Sequence, residues 1–148
     1  MNQIDVPSPP KPETEVSSLF RLLGTAHELE ALVEAELALL GLSLAKVGVL
    51  RMLVEADEPV ALSDLAERNC CVRSNITQLV DRLEADGLVR RVSDPEDRRV
   101  RRAELTGAGR TLIGQGLRVV AEQEESVAKM LTRDDAAALA RVLERLSR

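Results

Sequence analysis

A chain of 148 residues with 45% hydrophobic side chains is long enough for one good core, and its 30% charged residues suit a soluble globular surface. No stretch approaches the roughly 20 apolar residues of a membrane span. The acidic, proline-dotted start from Met1 to Glu15 lacks the basic and apolar regions of a signal peptide, so a cytoplasmic location without a membrane partner is expected. Phe20 is the single aromatic residue; the core must be Leu, Val and Ala, the composition of packed helices, and single-strand binding by base stacking is excluded.

Residues 1–15 carry no periodic apolar pattern and are expected to form a flexible arm. From Val16 the pattern changes. Leu19, Leu22, Ala26, Leu29, Val33, Leu37 and Leu40 recur at steps of three and four, the stripe of a helix of about 25 residues. Gly41 fits its C-terminal cap. Ser43 can cap a second helix reaching about Ala56, with Leu44, Val47, Leu50, Met52 and Leu53 mostly inward, and Glu58 and Pro59 end it. Val60 to Leu62 is expected to pair as a one-step strand, followed by a short helix from Ser63 to about Asn69 and another from Arg73 to Asp86, stopped by Gly87. Leu88 to Ser93 and Val100 to Leu105 have strand composition around the turn signal Asp94-Pro95. Thr106 opens a long helix to about Met130, with Leu112, Ile113, Leu117, Val120 and Val127 as its apolar set. Thr132 and Asp135 resemble a capping box for a last helix over 134–148, striped by Leu139, Val142, Leu143 and Leu146.

Helix, turn, second helix and a two-stranded hairpin in that order describe a winged helix-turn-helix, a mainly α fold with a small β-hairpin wing. Residues 16–148 then form a single domain, with the DNA-reading region at 59–106. The flanking segments 16–58 and 107–148 supply long helices whose stripes exceed what one small head can cover. A twofold homodimer would bury them and present two reading helices to two half-sites, the plainer alternative being that the same helices pack within one chain.

The net charge of −5 is unevenly distributed. Residues 1–72 carry 5 basic and 12 acidic groups, whereas residues 73–110 carry 9 and 7. Between Leu88 and Arg102 stand six arginines (Arg90, Arg91, Arg98, Arg99, Arg101 and Arg102), and local charge is what meets phosphate. On the second short helix, Ile76, Leu79, Val80 and Leu83 share one face, which leaves Ser74, Asn75, Thr77, Gln78, Asp81 and Arg82 on the other. Asn75 and Gln78 can pair bidentately with adenine, Ser74 and Thr77 can serve phosphate or base, and Arg73 lies where a helix N-terminus also favours phosphate. At the wing, Arg98 and Arg99 are candidates for the backbone and Arg99 for the minor groove, with Asp97 fixing an arginine's direction. An ordinary solvated helix face and a scatter of surface salt bridges are the bland readings of the same residues. Agreement between two adjacent signals favours DNA.

The segment RSNITQLVDRLEADGLV followed by DPEDRRVRRAELT resembles the reading helix and wing of the MarR family of bacterial transcription factors, with Asp97, Arg99, Leu105 and Thr106 in register. The resemblance covers most of the chain. It implies an obligate homodimer on a pseudo-palindromic double-stranded operator, usually a repressor, released by a small-molecule effector or an oxidant through a cleft between the dimer helices and the reading head. Three departures fall in one turn: Asn69 and Cys71 stand where similar proteins usually place apolar residues, and Val72 replaces the usual Ser or Thr cap, at a cost of about 1 kcal/mol.

Cys70 and Cys71 are adjacent in that turn. Neighbouring Cα atoms about 3.8 Å apart are too close for an unstrained disulfide, so small-hydrophobe filling is the simpler reading. A thiol-based redox sensor stays as an alternative, because Arg73 and a helix N-terminus favour a thiolate. His27, beside Glu28 and Glu30, is a candidate for the ligand cleft. One histidine and two adjacent cysteines make no zinc set, so no metal is expected. No Gly-rich phosphate loop or paired nucleophile and base is present, so neither cofactor nor enzyme activity is expected. A protein-interaction module without an operator is the other alternative, kept open by the acidic flanks.

Overall fold

A computed structural model describes residues 15–68, 76–94, 96, 97 and 99–147, with side chains from Leu19 onward. The described residues fall into two units, one up to Leu32 and one from Val33 onward. Six helices and three short strands follow in the order α1 (Glu15–Ala38), α2 (Leu44–Ala56), β1 (Val60–Ala61), α3 (Leu62–Arg68), α4 (Ile76–Ala85), β2 (Val89–Ser93), β3 (Arg101–Leu105), α5 (Gly107–Ala128) and α6 (Arg133–Leu146). The described part of α1 up to Leu32 carries exposed Leu19, Phe20, Leu22, Leu23, Leu29 and Leu32. The expected stripe is thus open to solvent along this stretch of the single chain.

In the second unit the helix ends follow the capping chemistry of the sequence. Gly41 and Gly87 both take φ of +72°, the left-handed region open to glycine. Around them, the Leu42 amide donates to the Leu37 carbonyl and the Leu88 amide to the Leu83 carbonyl, while Gly41 and Gly87 donate to Ala38 and Glu84. These are paired Schellman closures. The Ser43 hydroxyl accepts from the Lys46 amide and Glu34 accepts from the Leu44 amide, satisfying two free N–H groups at the start of α2. α2 ends at Ala56, just before the Glu58 and Pro59 expected to stop it, and Asp57 closes it at φ +52°. Thr106 caps α5 by accepting from the Gly109 amide.

Thr132 and Asp135 form a reciprocal capping box at α6. The Thr132 hydroxyl, then its amide, hold the Asp135 carboxyl below the usual carboxylate range. Thr132→Ala is expected to cost about 1 kcal/mol in urea unfolding at neutral pH. The share that depends on ionised Asp135 is present above the ordinary aspartate value and is lost as pH falls through the lowered folded value. The gap between variant and parent should therefore narrow in acid; a gap independent of pH would remove Asp135 from the cap.

The core joins Leu37 and Leu42 with Val47, Val49, Leu50 and Leu53 of α2, Leu65 of α3, Ile76, Leu79, Val80 and Leu83 of α4, Val89, Ala103 and Ile113. All four expected inward residues of α4 are buried. Gly116 lets α5 approach α2 and the turn before it: a Cβ there would stand 2.8 Å from Leu42 Cδ1 and 3.3 Å from Val47 Cγ2. The sheet is antiparallel in the order β1-β3-β2, so the two-residue strand pairs on the outer edge of the wing hairpin. Its register sets Val60 opposite Ala103 and Ala61 opposite Arg102. In contrast, α6 buries no side chain, leaving Leu139, Val142, Leu143 and Leu146 between 39% and 62% exposed. Among the described residues, no helix is long and apolar enough to cross a membrane.

Candidate nucleic-acid interface

Because α4 turns Ile76, Leu79, Val80 and Leu83 into the core, its other face is fixed by helical geometry: Thr77, Gln78, Asp81 and Arg82 are exposed. Arg73, Ser74, Asn75, Cys70 and Cys71 lie outside the described residues, as does Arg98. His27 is on the exposed surface of α1.

Strand register decides which wing arginines carry free charge. Arg90 faces Glu104 across the hairpin and is bonded to its carboxylate. Arg91 turns back onto α4: its guanidinium meets Asp81 at 2.6 Å and Glu84 at 2.8 Å, bonds the Thr77 carbonyl, and its amide donates to Glu84. These contacts brace the wing against α4 and set one cation between two carboxylates on it. Arg102 Nε donates to Asp94 at 2.5 Å. Arg101 donates to the Ser93 hydroxyl at 3.2 Å. Among the described residues, Arg82 and Arg99 take part in no ion pair, and both are exposed. Three of the five described wing arginines are therefore matched within the protein, which the charge count alone does not reveal.

The wing turn is built on two carboxylates. Asp97 accepts from the Arg99 amide at 2.9 Å, so its described bond fixes the backbone at Arg99 and not a guanidinium. Asp94, read in the sequence as a turn former, is buried at 7% exposure. The amides of Asp97 and Glu96, followed by the Arg102 guanidinium, hold its carboxyl below the usual range, and Asp94 in turn raises Arg102. A small open cavity of about 140 Å³ lies elsewhere, lined by Leu53, Asp57, Glu58, Pro59, Glu104, Leu105 and Arg110, with Arg110 paired to Asp57 at 2.7 Å. Among the described residues no group of three or more His, Cys, Asp or Glu could hold a metal ion.

A model of the MarR family matches residues 42–101, which run from the turn before α2 to the first residue of β3. No curated protein sequence matches the chain. Among solved structures, the transcriptional repressor CouR bound to a 23-mer DNA duplex is 27% identical, with a TM-score of 0.81 over 95% of this chain and 100% of that one. A mutant MarR from E. coli complexed with operator DNA is 25% identical, with a TM-score of 0.77 over 89% and 95%. The organohalide-sensing regulator RdhR in its 2,4-dichlorophenol-bound form shares the fold at 22% identity, with a TM-score of 0.82 over 98% and 88%. The matched segment from Leu42 to Arg101 holds α4, β2 and the first residue of β3, and over it the chain resembles the MarR family of transcriptional regulators.

Proposed function

We propose that this protein is a sequence-specific, double-stranded DNA-binding regulator that acts as a homodimeric repressor and releases its operator on binding a small effector. The observation that carries the reading is the exposed α4 face of Thr77, Gln78 and Arg82 beside a wing whose Arg99 guanidinium is paired with no carboxylate among the described residues. Gln78 and Thr77 offer base-edge chemistry, and Arg82 and Arg99 offer charge to phosphate or minor groove. Ser74, Asn75, Arg73 and Arg98 belong to the same proposed surface by sequence position. The exposed apolar stripes of α6 and of α1 support self-association, since a second copy can cover them and set two reading heads about 34–36 Å apart. Effector release is supported by the fold shared with a regulator solved with 2,4-dichlorophenol.

Selection of duplexes from a random pool by the purified protein tests the reading, with an enriched pseudo-palindrome as the expected result. Arg99→Ala should then weaken binding about tenfold on every sequence and lower the salt slope by about one, with the dimer intact in sedimentation. An unchanged affinity and slope would remove the wing from the interface. Failure to enrich any duplex would favour the interaction module, for which the net-acidic first half of the chain is the one supporting observation.

A further inference from the structure

The wing hairpin outruns its support. β1 pairs only with Ala103 and Arg102, in the middle of β3, so the sheet's third strand gives no backbone bond to Arg101, Ser93 or the turn beyond them. A two-stranded hairpin is marginal by itself in water. Nevertheless the described turn residues are held by a continuous set of bonds centred on Asp94. Oδ1 of Asp94 accepts the amides of Glu96 at 2.7 Å and Asp97 at 3.0 Å, and its own amide donates to the Val100 carbonyl. Oδ2 accepts Arg102 Nε, and Nη1 of Arg102 reaches across to the Pro59 carbonyl at 3.1 Å, just before β1. One carboxylate therefore links the wing turn, the middle strand and the segment entering the sheet. It is the one polar side chain among the buried described residues. A buried, fully bonded carboxylate of this kind fixes geometry more strongly than a surface pair.

We propose that Asp94 is a positioning residue for the wing, holding the 94–100 turn and the Arg99 it carries in a DNA-reading orientation through Arg102 and the Pro59 carbonyl. The inference rests on the DNA-binding reading above. Asp94→Asn is the informative change: its remaining oxygen can still accept the two turn amides, while its NH2 faces Arg102 and breaks the tether.

The test is a double-mutant cycle on the duplex selected by the parent protein, with circular dichroism and sedimentation confirming fold and assembly. Asp94→Asn and Arg99→Ala are each expected to lose about tenfold in affinity. Together they should lose little more than either alone, because an unaimed Arg99 contributes nothing to delete. Asp94→Asn with Arg82→Ala should instead multiply, since Arg82 belongs to α4. A role in stability alone predicts multiplication in both pairs, and that result overturns the proposal, as does full affinity in Asp94→Asn. If Asp94→Asn does not fold, Arg102→Leu cuts the same tether with the turn bonds of Asp94 left in place, and the same cycle applies. Absence of any enriched duplex with the parent protein is a separate outcome, which defeats the DNA-binding reading and this inference with it.

Discussion

Gly109→Ala is expected to destabilise the protein by about 3 kcal/mol, although alanine ordinarily stabilises a helix relative to glycine by roughly 0.5–1 kcal/mol. The reversal comes from contact with backbone. A Cβ on Gly109 would stand 2.1 Å from the Leu88 carbonyl oxygen and 2.9 Å from Leu105 Cδ2. That carbonyl cannot retreat freely, because it accepts the Thr106 amide at 3.1 Å and the Thr106 hydroxyl at 3.2 Å, and Leu88 itself closes the end of α4. The first turn of α5 would have to lift off the sheet. Gly114, where an added Cβ meets nothing within 4 Å, is the control, and Gly114→Ala should be neutral or slightly stabilising. Urea unfolding at one protomer concentration checks both, and equal midpoints for the two variants would refute the close approach.

Leu83→Ala is expected to cost about 2–5 kcal/mol. Leu83 is fully buried, and its carbonyl accepts the Leu88 amide, so the residue ties the inward face of α4 to the closure made by Gly87. The lost side chain leaves a cavity between the reading helix and the core, and DNA affinity should fall along with the urea midpoint. Leu146→Ala, on the exposed stripe of α6, removes a similar side chain from a surface. It should weaken self-association with little effect on the packing of the head. A loss below about 1 kcal/mol for Leu83→Ala would mean that α4 is not packed as described.

The contrast between these residues also marks how much could be read in the sequence. Local chemistry was legible. Ser43, Thr106 and Thr132 cap the helices assigned to them, Gly41 and Gly87 stop theirs, and the 3.6-residue period sorted α4 into its two faces, because each signal involves neighbours within one or two turns. Charge was legible only as a count. Whether an arginine is free depends on strand register and on how the hairpin lies against α4, and Arg90, Arg91 and Arg102 find partners 14, 7 and 8 residues away in sequence. Asp94 was hidden for a related reason: next to proline an aspartate reads as a turn former, and nothing local shows that the turn folds its carboxylate inward over Arg102. Asp57 takes a left-handed conformation that its residue type does not announce.

The brace made by Arg91 has an electrical meaning beyond its mechanical one. The outward side of α4 carries Asp81, Arg82 and Glu84, a surface that would be net negative without help. Arg91 is largely covered, at 22% side-chain exposure, yet its contacts with Asp81 and Glu84 bring that surface back to balance. Part of the charge that a phosphate backbone would meet on this face is thus set from behind the helix, by a cation that need not touch the nucleic acid. A sequence could retune the affinity of such a head through the strand at its rear while every base-reading side chain stayed the same.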